Sequence, residues 1–239
     1  MNASFDFSKI RALTFDCYGT LIDWETGLLN SLRPWLLAQG GAISEDEIFS
    51  AFAEAEASEE ARMPDKEYPL ILESVFKALS KRWTLNTSES DARAFGCSVP
   101  NWPPFADSTA ALRRLHKKFK LCILSNVDRD SFAATERALG VTFDLVVTAQ
   151  DVGTYKPNLK NFHALLGRLS EIGISRDQIL HVAESLFHDH VPAQSLGLKT
   201  CWIDRRAGRG GGASAAQQVS VTPHLIFHHL KDLANAAGV

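Results

Sequence analysis

The chain has 239 residues, of which 45% are apolar, and it carries a formal net charge of −3. This length suffices for a core domain with a smaller companion, and the apolar fraction excludes a globally disordered chain. A slightly acidic chain offers no basic surface for nucleic acid or anionic lipid, so we expect neither as a partner.

Targeting signals and paired cysteines are missing from the sequence. Segment 1–9 lacks the apolar stretch of a signal peptide, and no run of about 18 apolar residues could span a bilayer. The four cysteines, Cys17, Cys97, Cys122 and Cys201, are far apart and form no CxxC pair. Because such cysteines are typical of a reduced protein, we expect a cytoplasmic protein with no membrane partner.

Short apolar runs bounded by charged or turn residues predict five strands. The runs are Ala12–Phe15, Leu121–Leu124, Leu145–Val147, Ile179–Val182 and Thr200–Ile203. They are apolar throughout rather than alternating, which is typical of strands buried on both faces. Helical patterns separate the later runs, so the sequence predicts an α/β fold with a parallel sheet. These patterns are Ser108–Lys118, Asp130–Leu139, Leu159–Glu171 and Val191–Leu196.

A long helical stretch follows the first strand. Residues 26–86 are rich in Ala, Leu and Glu and contain no strand pattern. We therefore predict a helical cap at residues 23–102, inserted into a core made of residues 1–22 and 103–239. Segment 205–220, rich in Gly, Ala and Arg, predicts a mobile surface loop rather than a phosphate or RNA contact.

Polar residues follow four of the predicted strands, where sites form in open α/β sheets. Asp16 comes directly after the first strand and before the turn residues Gly19 and Thr20. Its carboxylate suits either a nucleophile or a turn cap. Ser125 and Asn126 follow the second strand and suit either the binding of an anionic oxygen or leaving group, or the capping of the next helix.

Charged residues follow the two other strand ends. Lys156 precedes Pro157 at a helix start, where its ammonium either holds a carboxylate ionised or is exposed to solvent. Glu184 and Asp189 follow the fourth strand and suit water activation, cation binding or helix capping. The order of Asp, Ser-Asn, Lys-Pro and a late acid at successive strand ends indicates a hydrolase with Asp16 as its nucleophile.

These segments resemble the haloacid dehalogenase superfamily, and within it the type II L-2-haloacid dehalogenases. The resemblance is carried by Phe15–Leu21, Leu124–Asn126, Tyr155–Pro157 and Thr200–Ile203. It implies a Rossmann-like parallel sheet core with an inserted all-helical cap domain. It also implies hydrolytic dehalogenation of a small 2-haloacid, without a cofactor, through an ester formed on Asp16.

The resemblance implies a role for each core residue of the site. Asp16 displaces the halide, and water then hydrolyses the ester at the Asp16 carbonyl. Thr20 and Ser125 hold the nucleophile or the substrate carboxylate. Lys156 neutralises the site, and Asp189 orients Lys156 or the hydrolytic water.

Three further residues are expected to contact the substrate or the halide. Asn126 helps to cradle the halide, and Arg62 is the expected cap arginine, although a solvated helix residue beside two glutamates would look the same. Tyr18 stands two residues after the nucleophile, where the phosphatases of the superfamily carry a second aspartate that protonates the leaving alcohol. Because a leaving halide needs no proton, Tyr18 favours carbon–halogen cleavage.

Two departures from the dehalogenases keep a second enzymatic function open. Phe162 stands where the family carries a tyrosine, and Glu184 with the later Asp189 is closer to the superfamily's metal-binding form. If Glu184 points inward, three carboxylates face Lys156 and attract Mg²⁺. The alternative is therefore a Mg²⁺-dependent phosphatase with Asp16, Glu184 and Asp189 as metal ligands. The sequence leaves the orientation of Glu184 open.

A third hypothesis is a non-catalytic binding protein on the same scaffold. Phe162 and Ala183 motivate it, and the complete set of Asp16, Ser125 and Lys156 argues against it. For partners we expect a small anionic substrate and, from the resemblance, a homodimer.

Overall fold

The structure is a computed structural model that describes residues 5–206 and 220–239. Its strands are β1 Ala12–Phe15, β2 Lys120–Ser125, β3 Leu145–Thr148, β4 Ile179–Ala183, β5 Lys199–Ile203 and β6 Leu225–Phe227. They pair in parallel in the order β3-β2-β1-β4-β5-β6. All five predicted strands are confirmed. A sixth strand, β6, was not predicted; it has three residues, none of them buried, and lies at the edge of the sheet.

Helices cover both faces of this sheet. The helices are α1 Trp24–Ala38, α2 Glu45–Arg62, α3 Tyr68–Arg82, α4 Glu89–Gly96, α5 Ser108–Leu115, α6 Arg129–Leu139, α7 Ala149–Val152, α8 Leu159–Glu171, α9 Val191–Ser195 and α10 Leu230–Ala236. The four helical patterns predicted between the later strands match α5, α6, α8 and α9 to within a few residues. The α/β class with a parallel sheet is confirmed.

Four helices, α1 to α4, lie between β1 and β2 in the chain, as expected for an all-helical cap. They pack on one another through buried apolar residues, among them Phe52 of α2, Phe76 of α3 and Phe95 of α4. Polar caps begin three of them, with Asp23 at α1, Ser44 at α2 and Ser88 at α4 accepting bonds from backbone N–H groups. The cap boundaries at residues 22/23 and 102/103 stay a prediction.

The central strand is buried on both faces, which is why its sequence lacks alternation. Leu13 and Phe15 of β1 join the larger apolar cluster, which includes cap residues, whereas Ala12 joins a second cluster with Phe162 of α8. Successive side chains of a strand point to opposite faces, so a strand covered on both sides is apolar at most positions and does not alternate. Since β1 lies between β2 and β4, whatever follows it stands at the middle of the sheet's carboxyl edge.

Most of the predicted loop at 205–220 lies outside the described residues; Arg205, Arg206 and Ser220 lie within them. Over the described part of the chain, we find no helix with the length and apolar character needed to cross a membrane.

Candidate active site

A tight loop after β1 holds the first predicted site residue. The carbonyl of Cys17 accepts backbone bonds from Thr20, Leu21 and Ile22, which folds the chain back on itself. Gly19 allows this turn because its φ is +93°, in the left-handed region that favours glycine. A Cβ on Gly19 would also meet the Trp24 ring at 3.3 Å.

Asp16 is held by one bond on each carboxylate oxygen. Its Oδ1 accepts from Nζ of Lys156 at 2.8 Å, and its Oδ2 accepts from the hydroxyl of Thr20 at 2.7 Å. The Thr20 hydroxyl in turn accepts from the backbone N–H of Glu184 at 2.8 Å. Thr20 therefore fixes the carboxylate of Asp16 to the carboxyl end of β4.

Lys156 joins the two buried aspartates. Its ammonium donates to Oδ1 of Asp189 at 2.7 Å and to the carbonyl of Leu124 at 3.1 Å, in addition to Asp16. Lys156 is 3% exposed and Asp189 is fully buried, so solvent screens neither charge. The predicted proximity of Asp16, Lys156 and Asp189 at the strand ends is therefore observed.

The three charges shift one another's pKa values. Burial disfavours the Lys156 ammonium, but its two carboxylate partners outweigh burial and raise its pKa above the usual range. Burial also opposes ionisation of Asp189, yet Lys156 and His181 hold the pKa of that carboxyl well below its usual range. Burial and the neighbouring Asp189 charge raise the pKa of Asp16. Asp16 is therefore the more easily protonated carboxylate of the pair.

Asn126 is clamped to the backbone of Lys156. Its Oδ1 accepts from the Lys156 N–H at 2.6 Å, and its Nδ2 donates to the Lys156 carbonyl at 3.1 Å. The same Nδ2 lies 3.4 Å from a carboxyl oxygen of Glu60 in the cap. The neighbouring Ser125 is 2% exposed, and its hydroxyl has no hydrogen-bond partner among the described residues. Ser125 therefore keeps a donor for a ligand.

A cavity of about 390 Å³ opens over Asp16, between the strand ends and the cap. Seven of the predicted site residues line it: Asp16, Tyr18, Ser125, Asn126, Lys156, Glu184 and Asp189. Thr20 does not line the cavity itself but is hydrogen-bonded to Asp16. The cap contributes carboxyls and apolar surface, from Trp24, Phe52, Ala53, Glu54, Glu56, Ala57, Glu60 and Tyr68. The cavity thus brings a buried carboxylate nucleophile, an ammonium and a hydroxyl to one space.

Tyr18 presents its ring to this cavity but not a free acid. Its hydroxyl is hydrogen-bonded to the hydroxyl of Thr135 on α6 at 2.8 Å, and its ring meets Trp102 edge to face. Burial raises the pKa of the Tyr18 hydroxyl well above its usual value, so the group stays neutral. Tyr18 therefore shapes the wall of the cavity.

The structure does not bring Arg62 to the cavity. Arg62 is the last residue of α2, its side chain is 60% exposed, and it pairs with Glu59 on the helix surface. Glu60 faces the cavity instead, because residues two apart on a helix lie about 200° apart around its axis. The expectation of a cap arginine at Arg62 is therefore corrected: the cap supplies carboxyls on this side.

The family model for haloacid dehalogenase-like hydrolases matches residues 10–186. The chain belongs to the haloacid dehalogenase-like hydrolases.

Relatives of known activity include dehalogenases and a phosphatase. The (S)-2-haloacid dehalogenase H-109 of Pseudomonas putida is 28% identical over 210 residues, which cover 82% of this chain and 87% of that enzyme. A phosphoglycolate phosphatase of Yersinia pestis is 22% identical over 98% of this chain and 95% of that enzyme. The L-2-haloacid dehalogenase of Xanthobacter autotrophicus has the same fold, with a TM-score of 0.77, 20% identity and coverage of 95% and 97%.

The donor groups do not assemble the metal site known from this hydrolase superfamily. Both oxygens of Asp16 and Oδ1 of Asp189 are already bonded to Lys156, Thr20 or His181. Across residues 5–206 and 220–239, no group of three His, Cys, Asp or Glu side chains lies close enough to hold a metal ion. Glu184 lines the cavity but does not complete such a group.

A buried histidine that was not predicted from the sequence lies beneath the site. His181 is fully buried in β4, with Nδ1 2.9 Å from the Thr14 hydroxyl and Nε2 3.1 Å from Oδ1 of Asp189. A carboxylate only accepts, so Nε2 donates to Asp189 and Nδ1 accepts from Thr14. Phe162 packs edge to face on this ring. The sequence could have indicated this residue, because His181 is the one polar residue of the otherwise apolar strand β4.

We expect His181→Phe to lower kcat about tenfold or more with little change in KM, because residues that orient a catalytic group act at this scale. The variant removes the bond that fixes Asp189 beneath Lys156, but it changes no side chain of the cavity wall. Steady-state kinetics of product release would measure both constants.

His181→Gln, whose amide keeps a donor, should recover part of the lost kcat. Thr14→Val removes only the outer bond of the series and should cost less. An unchanged kcat in His181→Phe, or a loss confined to KM, would count against a positioning role.

Proposed function

We propose that this hydrolase cleaves the carbon–halogen bond of a small 2-haloacid through an ester on Asp16, without a metal ion. The observation that carries the proposal is the site beneath the cavity: a buried carboxylate, fixed by Thr20 and Lys156, with no acid placed to protonate a leaving group from position 18. The 28% identity to a haloacid dehalogenase over most of both chains supports it.

In the first step, an oxygen of Asp16 attacks C2 of the substrate, and the halide leaves with the bonding electrons. The step needs an ionised carboxylate and no proton donor, because halide is a weak base. The Lys156 ammonium favours the ionised form of Asp16. The neutral, bonded hydroxyl of Tyr18 fits this step, since nothing has to be protonated there.

In the second step, water adds to the Asp16 ester carbonyl and the bond from that carbonyl carbon to the substrate oxygen breaks. One proton of the water ends on the departing oxygen, which leaves as the hydroxyl of the 2-hydroxyacid, and the other passes to solvent. Asp16 then regains its carboxylate. Oδ2 of Asp189 has no hydrogen-bond partner among the described residues, so it is the acceptor that would orient this water. The Lys156 ammonium would stabilise the oxyanion that forms on the ester carbonyl.

The second candidate function is a Mg²⁺-dependent phosphatase, which the position of Glu184 in the cavity wall and the phosphatase relative favour. It requires a different role for Lys156, because the ammonium now occupies the space between the two aspartates. It also requires an acid other than Tyr18 to protonate the leaving alcohol.

A release assay separates the two functions. We expect chloride from chloroacetate or 2-chloropropionate at a rate that EDTA leaves unchanged, and no phosphate from p-nitrophenyl phosphate with added Mg²⁺. Phosphate release that EDTA abolishes, without halide release from any haloacid, would replace the first proposal by the second. If neither product forms, the binding-protein hypothesis gains support.

A further inference from the structure

The cap carries two carboxyls, Glu56 and Glu60, on the side of the cavity where an arginine was expected. They are four residues apart on α2, so they share one face of the helix, and both line the cavity. We propose that Glu60 acts as an uncharged carboxylic acid that donates a hydrogen bond to the carboxylate of the bound substrate. This inference deepens the proposed function and rests on it.

The surroundings of Glu60 favour its neutral form. The residue is 8% exposed, and its two carboxyl oxygens accept only long hydrogen bonds from the Asn126 amide, at 3.4 and 3.5 Å. A buried carboxylate needs a cation or several short hydrogen bonds to remain ionised. The ammonium of Lys156 lines the same cavity, but its bonds go to Asp16, Asp189 and the Leu124 carbonyl.

Two other neutral donors line the same cavity. The Ser125 hydroxyl and the Trp102 indole N–H are buried and have no hydrogen-bond partner among the described residues. The indole ring of Trp102 packs directly on the backbone of α1 at Gly27. The contact is so close that a Cβ at Gly27 would lie 2.3 Å from the ring, which leaves the ring little room to move. Buried donors without partners are uncommon and indicate an acceptor supplied by a ligand. A protonated Glu60 would add a third donor.

The other charges of the cavity also favour an uncharged Glu60. Besides Glu60, the titratable groups that line the cavity are Glu54 and Glu56 on the same helix, Tyr68 on α3 and, from the core, Asp16, Tyr18, Lys156, Glu184, His188 and Asp189. Tyr155 lies close by. Burial lowers the pKa of His188 to about 4, so this imidazole adds no positive charge near neutral pH. An ionised Glu60 would therefore repel an anionic substrate that a single ammonium attracts.

The pKa values of the two cap carboxyls agree with the geometry. Burial raises the pKa of Glu56 to about 7, against the opposing effect of its bond from the Tyr68 hydroxyl. Burial and the Glu56 charge raise the pKa of Glu60 well above its usual value, which outweighs the effects of Lys156 and Asn126. The raised pKa of Glu60 favours the uncharged form that its burial and its long contacts with Asn126 indicate.

The test compares Glu60→Gln, which keeps a neutral donor, with Glu60→Ala, which removes it. Binding of propionate is followed by the fluorescence of Trp24 and Trp102 in the cavity wall, so the measurement needs no turnover. At about pH 6, we expect Glu60→Gln to bind within about threefold of wild type and Glu60→Ala to bind about tenfold or more weakly. At about pH 9, wild type should lose affinity more steeply than Glu60→Gln.

Glu59→Gln is the matched control, because Glu59 is on the same helix but pairs with Arg62 outside the cavity. Equal losses in Glu60→Gln and Glu60→Ala, or tighter binding of propylammonium than of propionate by wild type, would show that an ionised Glu60 is needed and overturn the inference. Unchanged binding in Glu60→Ala would overturn it too. Absence of halide release with intact propionate binding would contradict the proposed function but not the role of Glu60.

Discussion

Asp16→Asn should reduce halide release by about 10⁴-fold or more, because the carboxamide cannot displace halide to form the ester. The same change should leave the free energy of unfolding unchanged or slightly higher. Burial raises the pKa of Asp16, so an ionised Asp16 costs stability at neutral pH, and a neutral amide removes that cost. Initial rates of halide release and denaturant unfolding curves measure the two effects.

Asp144→Asn provides the matched control, since Asp144 pairs with Lys120 away from the cavity. It should keep full activity. A single turnover of wild type in ¹⁸O-water adds a sharper requirement: the ester mechanism places the label in the Asp16 carboxylate, because water attacks that carbonyl. Label found only in the hydroxyl of the first product, or substantial activity in Asp16→Asn, would contradict Asp16 as nucleophile.

The sheet and the lower half of the site could be predicted from the sequence for a physical reason. Strands buried on both faces are short, mostly apolar runs without alternation, so β1 and its neighbours are recognisable in the sequence. The parallel topology then brings their carboxyl ends together. Asp16, Lys156 and Asp189 therefore fall within hydrogen-bond distance although they are far apart in the chain.

The cap half of the site could not be predicted in the same way. In α2, alanines and glutamates alternate with little amphipathic contrast, so the pattern does not show which glutamates face the core. The spacing between Arg62 and Tyr68 predicted Arg62 as the cap residue of the site. In the structure, the face of α2 that lines the cavity carries Glu56 and Glu60 instead, and Arg62 pairs with Glu59 on the helix surface. The orientation of an inserted cap is set by long-range packing, such as that of Trp102 on α1, which no local pattern encodes.

One departure from the family pattern, Phe162, lies against the histidine beneath the site. Phe162 lacks the hydroxyl of the family's tyrosine, but it packs against His181, which donates to the buried carboxylate of Asp189. The carboxylate of Asp189 therefore has a donor on β4. This arrangement argues against a non-catalytic scaffold, because such a protein would not need a buried carboxylate held by both His181 and Lys156.

Lys156→Met should lower the free energy of unfolding by about 3–5 kcal/mol at neutral pH and abolish halide release. The change leaves Asp16 and Asp189 buried side by side without their shared cation. In wild type, the pKa of Asp189 is depressed, so its stabilising effect is present above the unfolded pKa and is lost as pH falls through the folded one. In the variant, both carboxyls favour protonation, so acidification should narrow the difference in stability from wild type.

Lys120→Met tests whether the loss of stability in Lys156→Met comes from the burial of the ion pairs. Lys120 also pairs with an aspartate, Asp144 at 2.9 Å, but its side chain is 48% exposed. Water already solvates that pair, so its loss should cost about 1 kcal/mol or less and should depend little on pH. Equal destabilisation in the two variants would mean that the buried charges are not coupled as their geometry indicates. A gap that widens on acidification would contradict the assignment of Lys156 as the cation that keeps Asp16 and Asp189 ionised.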